Sequence, residues 1–463
     1  MWPLWQVFLF LSNMNSKQQS VKFVTLGCKV NQYETQAMAE SLAVKNIKQV
    51  EGAPCDYVVV NTCTVTADAD RNNRYWIRRM KRENPAAQLV VTGCYVEKNR
   101  AELEAMPEID LILSNYEKDK LHEKIFEGCG TETIQTSPDK TRFAELAVSA
   151  PQGGGTRAFV KIQDGCNHSC AFCKVVLVRG RSRSRELKSI VEEVKRLAEG
   201  GYREVVFAGI QLGAYGLDYE SPEHFRNPSA RDHYFLTDAI EAAAEVKGIE
   251  RIRLSSIEPI DIGEPLIQCF ERVKKFCPQM HIPLQSGDTE ILALMNRRYS
   301  GEFYRDLILK LRQRIPDFEL TLDVMAGFPG EEARHFENTV KLLEEIQPLK
   351  CHVFPYSRRE GTRAASMTDV APHLIRERVQ QLIGLSQQWS EARLRLYLGR
   401  ELDVLVERPR EQNGFYEGMA ANYVRVCFPA SQKMDGQIAR VRCLAVENGI
   451  ILGKLVPEEV KHG

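Results

Sequence analysis

The stretch Asp164 to Val176 reads DGCNHSCAFCKVV and places Cys166, Cys170 and Cys173 within eight residues. In a long chain without a secreted-domain pattern, cysteines this close are metal ligands or redox groups rather than a disulfide scaffold. A structural zinc ion asks for four closed ligands, and this loop offers three at a cramped spacing. An iron–sulfur cubane also commonly takes four thiolates. With three, one iron keeps an open position where a cofactor or substrate can bind, as at catalytic metal sites. Cys28, Cys63 and Cys94 form a second set. Each closes a short apolar run: VKFVTLGC, DYVVVNTC and AQLVVTGC. If these runs are parallel strands, all three cysteines reach the sheet edge where open α/β folds bind ligands.

The elements that must position these cysteines follow from periodicity. From Val21 to about Glu127, apolar runs alternate with helical stretches at Gln32–Lys45, Thr66–Arg82, Glu97–Met106 and Glu117–Glu127, a βα series that builds an open parallel sheet. Residues 129–156 are polar, end near GGG and read as a linker. A second series follows over 157–398. Its strands are RAFVKIQ, REVVFAG, RIRLSS, MHIPLQ, LTLDVMAG and KCHVFPY. Six such units predict an open partial (βα)6 barrel, with the three-cysteine loop following its first strand, at the carboxyl mouth. Residues 217–233 interrupt the series as a charged insertion. Pro372–Leu398 reads as one long helix. Residues 399–463 change to short alternating runs with Gly414, Gly418 and Gly436 in the turns, which predicts a small all-β barrel. The fold class is therefore α/β with a terminal all-β module.

The 463 residues are 43% hydrophobic and 27% charged, a soluble composition, and Lys plus Arg equals Asp plus Glu at 62 each. A neutral total supplies no global field for nucleic acid, so any RNA contact must come from local patches. The opening MWPLWQVFLFL lacks a basic n-region and a small-residue cleavage site and is too short to span a bilayer. Residues 1–20 read as an extension, Met14 as an alternative start, and the protein as cytoplasmic with no membrane role.

The loop Cys166-x3-Cys170-Ala-Phe172-Cys173 resembles that of the radical S-adenosylmethionine (SAM) superfamily. The resemblance implies that SAM chelates the open iron and is cleaved to methionine and a 5′-deoxyadenosyl radical, with Phe172 beside its adenine. It extends from Val21 to Val456 and is similar to the methylthiotransferase family. That family joins a cysteine domain, a radical SAM barrel and a terminal barrel called TRAM. It implies a second 4Fe–4S cluster on Cys28, Cys63 and Cys94, and SAM as both methyl donor and radical source. Replacing an aromatic C–H by C–S lies beyond side-chain acid–base chemistry, so a cofactor must carry the step.

LGCKVNQYE, NTCTVT, RLSSIEP, HIPLQSGD, MNRRY, GFPGE and HVFPYSRREGT resemble the subfamily acting on N6-threonylcarbamoyladenosine at position 37 of tRNA. The alternatives are isopentenyl-adenosine in tRNA and a ribosomal-protein aspartate; the non-enzymatic alternative is a zinc-containing RNA-binding protein. The implied partners are tRNA, a flavodoxin- or ferredoxin-like electron donor and an unidentified sulfur donor. The resemblance sets Gly209, Gly213, Ser255, Glu258, Gln285 and Ser286 at strand ends that contact SAM.

RGRSRSR supplies Arg179, Arg181, Arg183 and Arg185 at the mouth as substrate contacts. The helix at 66–82 carries six Lys and Arg that read equally as an RNA face or a solvated one. The terminal module has nine Lys plus Arg against nine Asp plus Glu. Its RNA role therefore rests on the resemblance, and core packing is the simpler reading of Phe415, Tyr416, Tyr423 and Phe428. His168, His281 and His352 read as packing or hydrogen-bonding residues, and the seven other cysteines as small buried hydrophobes or free thiols. KVVLVRG departs from the family by placing Lys174 directly after the last cysteine with no Pro.

Overall fold

The computed structural model describes residues 18–64, 67–126, 142–148, 156–219, 235–409 and 414–457. Residues 1–17 with the apolar opening run, most of the 129–156 linker and residues 220–233 of the charged insertion lie outside them. The described chain falls into two compact units, residues 18–64 with 68–126, and residues 142–457.

The first unit is a five-stranded sheet of β1 (Gln19–Thr25), β2 (Ile47–Gln49), β3 (Tyr57–Thr62), β4 (Gln88–Gly93) and β5 (Leu111–Ile112). Its order is β2-β1-β3-β4-β5, and every pairing is parallel. β3 reads YVVVNT with all six residues buried, as a parallel strand covered on both faces requires. Helices Lys29–Val44, Ala67–Glu83 and Val96–Glu104 make the crossovers. Only β2 has no counterpart in the sequence pattern, because three residues are too few to show a period.

The second unit opens with β6 (Arg157–Lys161) and the short antiparallel pair β7 (Gln163–Asp164) and β8 (Arg183–Ser184). It continues through β9 (Glu204–Ala208), β10 (Arg251–Leu254), β11 (Gln279–His281), β12 (Glu319–Ala326) and β13 (Lys350–Pro355). Two parallel sheets result, β10-β9-β6 and β11-β12-β13, linked by a bridge between Ile252 and Phe276. Together they are the expected six-stranded partial barrel. Its helices form for local reasons. In Gly301–Arg314, Ser300 accepts the Phe303 N–H at 3.1 Å as N-cap, while Tyr304, Leu307, Ile308 and Leu311 make the buried stripe.

After helix Pro372–Arg395, strands β14 (Glu401–Pro409), β15 (Phe415–Ala420), β16 (Arg425–Pro429), β17 (Ile438–Glu447) and β18 (Ile450–Leu455) close into a small barrel. β15 was not legible as a strand, since FYEGMA neither alternates nor carries β-branched residues. The core is Val404, Val406, Val424, Val426, Phe428 and Val441, and it continues into Leu394 and Tyr397 of the preceding helix and turn. Phe428 is fully buried and Tyr416 packs on this core, whereas Phe415 is exposed.

The module docks on the amino-terminal end of the barrel strands. Arg251, first residue of β10, donates to the backbone carbonyls of Met419 at 2.9 Å and Asp403 at 2.6 Å. Arg157, first in β6, pairs with Glu407. The Arg253 guanidinium lies 5.1 Å from the Tyr423 ring centre. Beneath it, fully buried Glu204 accepts from Arg253 at 2.9 Å, and Arg253 donates on to Gln279 at 3.0 Å. Burial opposes ionisation of Glu204, but Arg253, Arg157 and Arg251 overcome it and hold the carboxyl below its ordinary value.

Glu204→Ala would strand Arg253 and Arg251 as buried cations, so a loss of about 3–5 kcal/mol is expected, read as a lower urea midpoint at neutral pH. The contribution of Glu204 is complete above the unfolded glutamate value of about 4.3 and fades as pH falls through the lowered folded value. The gap between variant and parent should therefore shrink in acid.

Candidate metal centres and cofactor site

The register of the first sheet aligns Thr25 with Asn61 and Thr62 with Gly93. Cys63 and Cys94 therefore leave adjacent strands side by side, and the Cys94 N–H donates to the Thr62 carbonyl at 3.1 Å. Cys28 lies three residues beyond β1 as the N-cap of helix Lys29–Val44. Gly27 joins the two loops. Its φ is +98°, and a Cβ there would stand 2.6 Å from both Cβ and Sγ of Cys63. Only a residue without a side chain lets the Cys28 loop lie on Cys63.

Buried asparagines, which the sequence reading passed over, fix these loops. Asn31 donates to the Leu26 and Thr62 carbonyls at 2.7 and 2.9 Å, and Asn61 to the Asn31 carbonyl at 3.0 Å. Asn73 holds Cys63 by both backbone groups, at 3.2 and 2.6 Å. The Asn115 amide donates to Cys94 Sγ at 3.7 Å. Asparagines within or beside apolar strands were the available signal, because a buried amide must find partners.

In the second unit, Cys166, Cys170 and Cys173 occupy the loop between β7 and helix Val175–Arg179. The loop is pinned by Cys166 N–H to Gly180 O at 3.0 Å, Asn167 N–H to Gln211 Oε1 at 2.9 Å and Ala171 N–H to Met295 O at 2.9 Å. Backbone N–H groups reach two of the sulfurs, His168 to Cys166 at 3.3 Å and Val175 to Cys173 at 3.4 Å. Burial pushes the Cys166 and Cys170 thiols up and takes Cys173 to about 11. The N–H groups, and Arg297 at Cys170 and Cys173, pull in the opposite direction. Such thiols shed their protons when a metal supplies the positive charge.

Among the described residues no three His, Cys, Asp or Glu side chains gather as ligands of a single ion. A cubane spreads its ligands over separate irons, so the single-ion criterion does not decide the fit. The donor set does: soft sulfur in both trios, N–H donors aimed at sulfur, and a glycine cradle. These fit iron–sulfur clusters.

The aromatic cover beside the loop is Phe172, edge-on to Phe328 at 6.3 Å, with Tyr356 beyond at 5.6 Å. Arg297 lies 5.7 Å from the Phe172 ring centre and pairs with Glu258. Burial would weaken the Arg297 charge, yet Glu258, Tyr299 and Cys170 hold its pKa well above the ordinary value.

Other expected contacts land differently. Ser255 is buried just past β10. Gln285 is buried with φ +66°, and its Oε1 makes no hydrogen bond. Such a left-handed non-glycine residue is a mark of local constraint. The Ser286 hydroxyl is turned 3.3 Å from Thr339 Oγ1 on helix Ala333–Ile346, which makes it a packing residue. The side-chain space at Gly209 is filled by Gln163, and at Gly213 by Asp261, so packing inside the protein accounts for both glycines.

Arg179, Arg183 and Arg185, expected as substrate contacts, are turned into the fold. Arg179 is buried on Asp164 at 3.0 Å, with Lys161 2.6 Å from the same carboxylate. Arg183 is buried and donates to the Arg179 and Arg181 carbonyls, and Arg185 pairs with buried Glu193. These cations are spent inside the fold; Arg181 alone of the four is exposed. On helix Ala67–Glu83, Arg71, Arg74, Arg78, Arg79 and Lys81 pair with Asp68, Glu102, Glu108, Glu83 and Asp110.

A partial parallel barrel carrying three cysteines in its first mouth loop is the architecture of a radical SAM protein, and residues 160–343 match the model described as the Radical SAM superfamily. Residues 20–114 match Uncharacterized protein family UPF0004. Threonylcarbamoyladenosine tRNA methylthiotransferase MtaB of Bacillus subtilis is 36% identical over 92% of this chain and 94% of its own. The MtaB of Thermotoga maritima is 31% identical over 94% and 96%. A tRNA-2-methylthio-N(6)-dimethylallyladenosine synthase of Moorella thermoacetica is 32% identical over 96% and 100%. The chain belongs to the methylthiotransferase family of radical SAM enzymes. Among solved structures, the radical SAM methyltransferase TsrM of Kitasatospora setae, with cobalamin and a 4Fe–4S cluster bound, shares the fold. Its TM-score is 0.54 at 15% identity, over 76% of this chain and 77% of that one.

Gly27→Ala should push Cys63 out of line. Iron in the anaerobically reconstituted protein is expected to fall from about eight atoms per chain to about four, with the fold kept by circular dichroism.

Proposed function

We propose that this protein places a methylthio group on carbon 2 of N6-threonylcarbamoyladenosine at position 37 of tRNA. The observation that carries the substrate is that four relatives named for this activity match 83–94% of the chain at 31–36% identity. The second reading, a dimethylallyladenosine substrate, is supported by relatives of similar coverage at 29–32% identity.

When bound, SAM and the two clusters supply the radical that opens the C–H bond and the sulfur and methyl that replace the hydrogen. The chain's own part is to hold and enclose. Cys166, Cys170 and Cys173 hold one cluster and Cys28, Cys63 and Cys94 the other. Each trio leaves a metal position for an incoming ligand. Phe172, Phe328 and Tyr356 cover the loop and keep water from a reactive site. Ser255 and Gln285 stand at strand ends for polar groups of SAM, and Arg297, braced by Glu258, brings a cation beside Phe172 and Cys170. Arg181 is the arginine of the mouth left for an RNA phosphate. A flavodoxin- or ferredoxin-like protein would deliver electrons. No helix of the described residues is long and apolar enough to cross a membrane, and a tRNA substrate puts the work in the cytoplasm.

Cys166→Ala should abolish release of 5′-deoxyadenosine from SAM. Cys63→Ala should keep that release and lose the methylthio product. Nucleoside mass spectrometry of tRNA from cells lacking the protein should show threonylcarbamoyladenosine without its methylthio form. Unchanged tRNA would overturn the reading.

A further inference from the structure

The segment that follows helix Thr289–Leu294 runs along the cysteine loop and is fastened to it. The Met295 carbonyl accepts from Ala171 N–H at 2.9 Å, and the Asn296 amide donates to both the carbonyl and the hydroxyl of Ser169 at 2.9 Å. Asn296 sits at φ +60°, a left-handed turn that asparagine tolerates better than most residues. Tyr299 anchors the far end by donating to the Pro283 and Leu284 carbonyls at 3.1 Å. Between these anchors the Arg297 side chain is buried beside the Phe172 ring and donates to Glu258, which stands in the loop beyond β10. The Arg297 Nε is buried and makes no hydrogen bond among the described residues. Two opposite charges thus stand at the loop of Cys166, Cys170 and Cys173, and they are not equally placed. Burial raises all three thiols. Against that background Arg297 outweighs Glu258 at Cys170 and Cys173, whereas Glu258 is the stronger of the two at Cys166. Arg298, next along the chain, is exposed, so water and salt screen it. The Arg297 charge lies in a drier place, where one charge acts several times more strongly.

We propose that Arg297 and Glu258 set, with opposite signs, the reduction potential of the cluster held by Cys166, Cys170 and Cys173. The inference rests on the iron–sulfur reading of that loop. Reduction brings in one electron from the flavodoxin- or ferredoxin-like protein and makes or breaks no bond, so it adds one negative charge among the three sulfurs. A fixed cation beside them favours that charge, and a fixed anion opposes it. Arg297 eases reduction by a carrier of modest potential. Glu258 offsets part of this and keeps the reduced state a strong reductant.

The test is a potentiometric titration of the full-length protein, reconstituted without oxygen and free of SAM, read by electron paramagnetic resonance. The signal of this cluster is the one lost in Cys166→Ala. Glu258→Gln keeps an acceptor for Arg297 and removes the negative charge. It should raise the ratio of reduced to oxidised cluster at a fixed potential at least about tenfold, which is about 59 mV for a one-electron couple. Arg297→Gln should lower that ratio by a similar factor, and Arg297→Lys should bring it back towards the parent. If Arg297→Gln does not hold its iron, Glu258→Gln and Arg297→Lys decide the matter. A purely packing role would leave the midpoints at the parent value or move both Gln variants in the same direction. Either result would overturn the assignment and leave the cluster reading standing. A shift that appears only after SAM is added would also overturn it and make Arg297 a contact of SAM. A parent with no signal that depends on Cys166 would overturn both.

Discussion

Parallel pairing sends the carboxyl end of every strand to the same edge of a sheet, and this single directional constraint places both cysteine trios. In the first unit three adjacent strands bring together thiols more than thirty residues apart in sequence. In the second, the same direction sets the cysteine loop at the mouth of the barrel. Because parallel sheets are buried on both faces, that edge is where the backbone turns away from its ladder and side chains can meet a ligand. The loops beyond the edge lack a ladder of their own. Asn31, Asn61 and Asn73 take its place in the first unit, and Asn167 with Gln211 does so in the second.

Much of this was legible because it was periodic. The apolar runs ending in Cys28, Cys63 and Cys94 are β1, β3 and β4 with their short extensions, and the six runs of the second series are the six barrel strands. What could not be read was where each cation would find its anion. RGRSRSR looks like an exposed basic edge, yet it folds back as β8 against β7 and puts Arg179 and Arg183 on Asp164. That pairing depends on a turn whose geometry only Gly165 allows, since a Cβ there would lie 1.9 Å from the Arg181 carbonyl. His281 and His352 were equally opaque. Each alone is a commonplace imidazole on a strand. Only the register of β11, β12 and β13 puts one within reach of Asp323 and the other across from it.

The barrel interior is graded. Its floor is charged and closed, with Glu204, Arg253, Gln279 and Glu319 buried and mutually bonded or held by Arg393 and Tyr397. Its mouth is aromatic. The layer between is polar and partly open. Buried charge is tolerated at the floor because every carboxylate there has at least one guanidinium, and removing either partner costs more than the pair itself contributes. Low polarity at the mouth suits a site where a reactive species must be kept from solvent.

The terminal β-barrel is bolted to that floor through Arg251 and Arg157, at the end of the strands opposite the cysteine loop, and its core runs on into the helix that precedes it. It is a strut rather than a swinging arm. A nucleic acid that touched both the strut and the mouth would be gauged against a fixed length of protein. Its reach along the barrel wall, rather than the slack of a tether, would then decide which molecules engage.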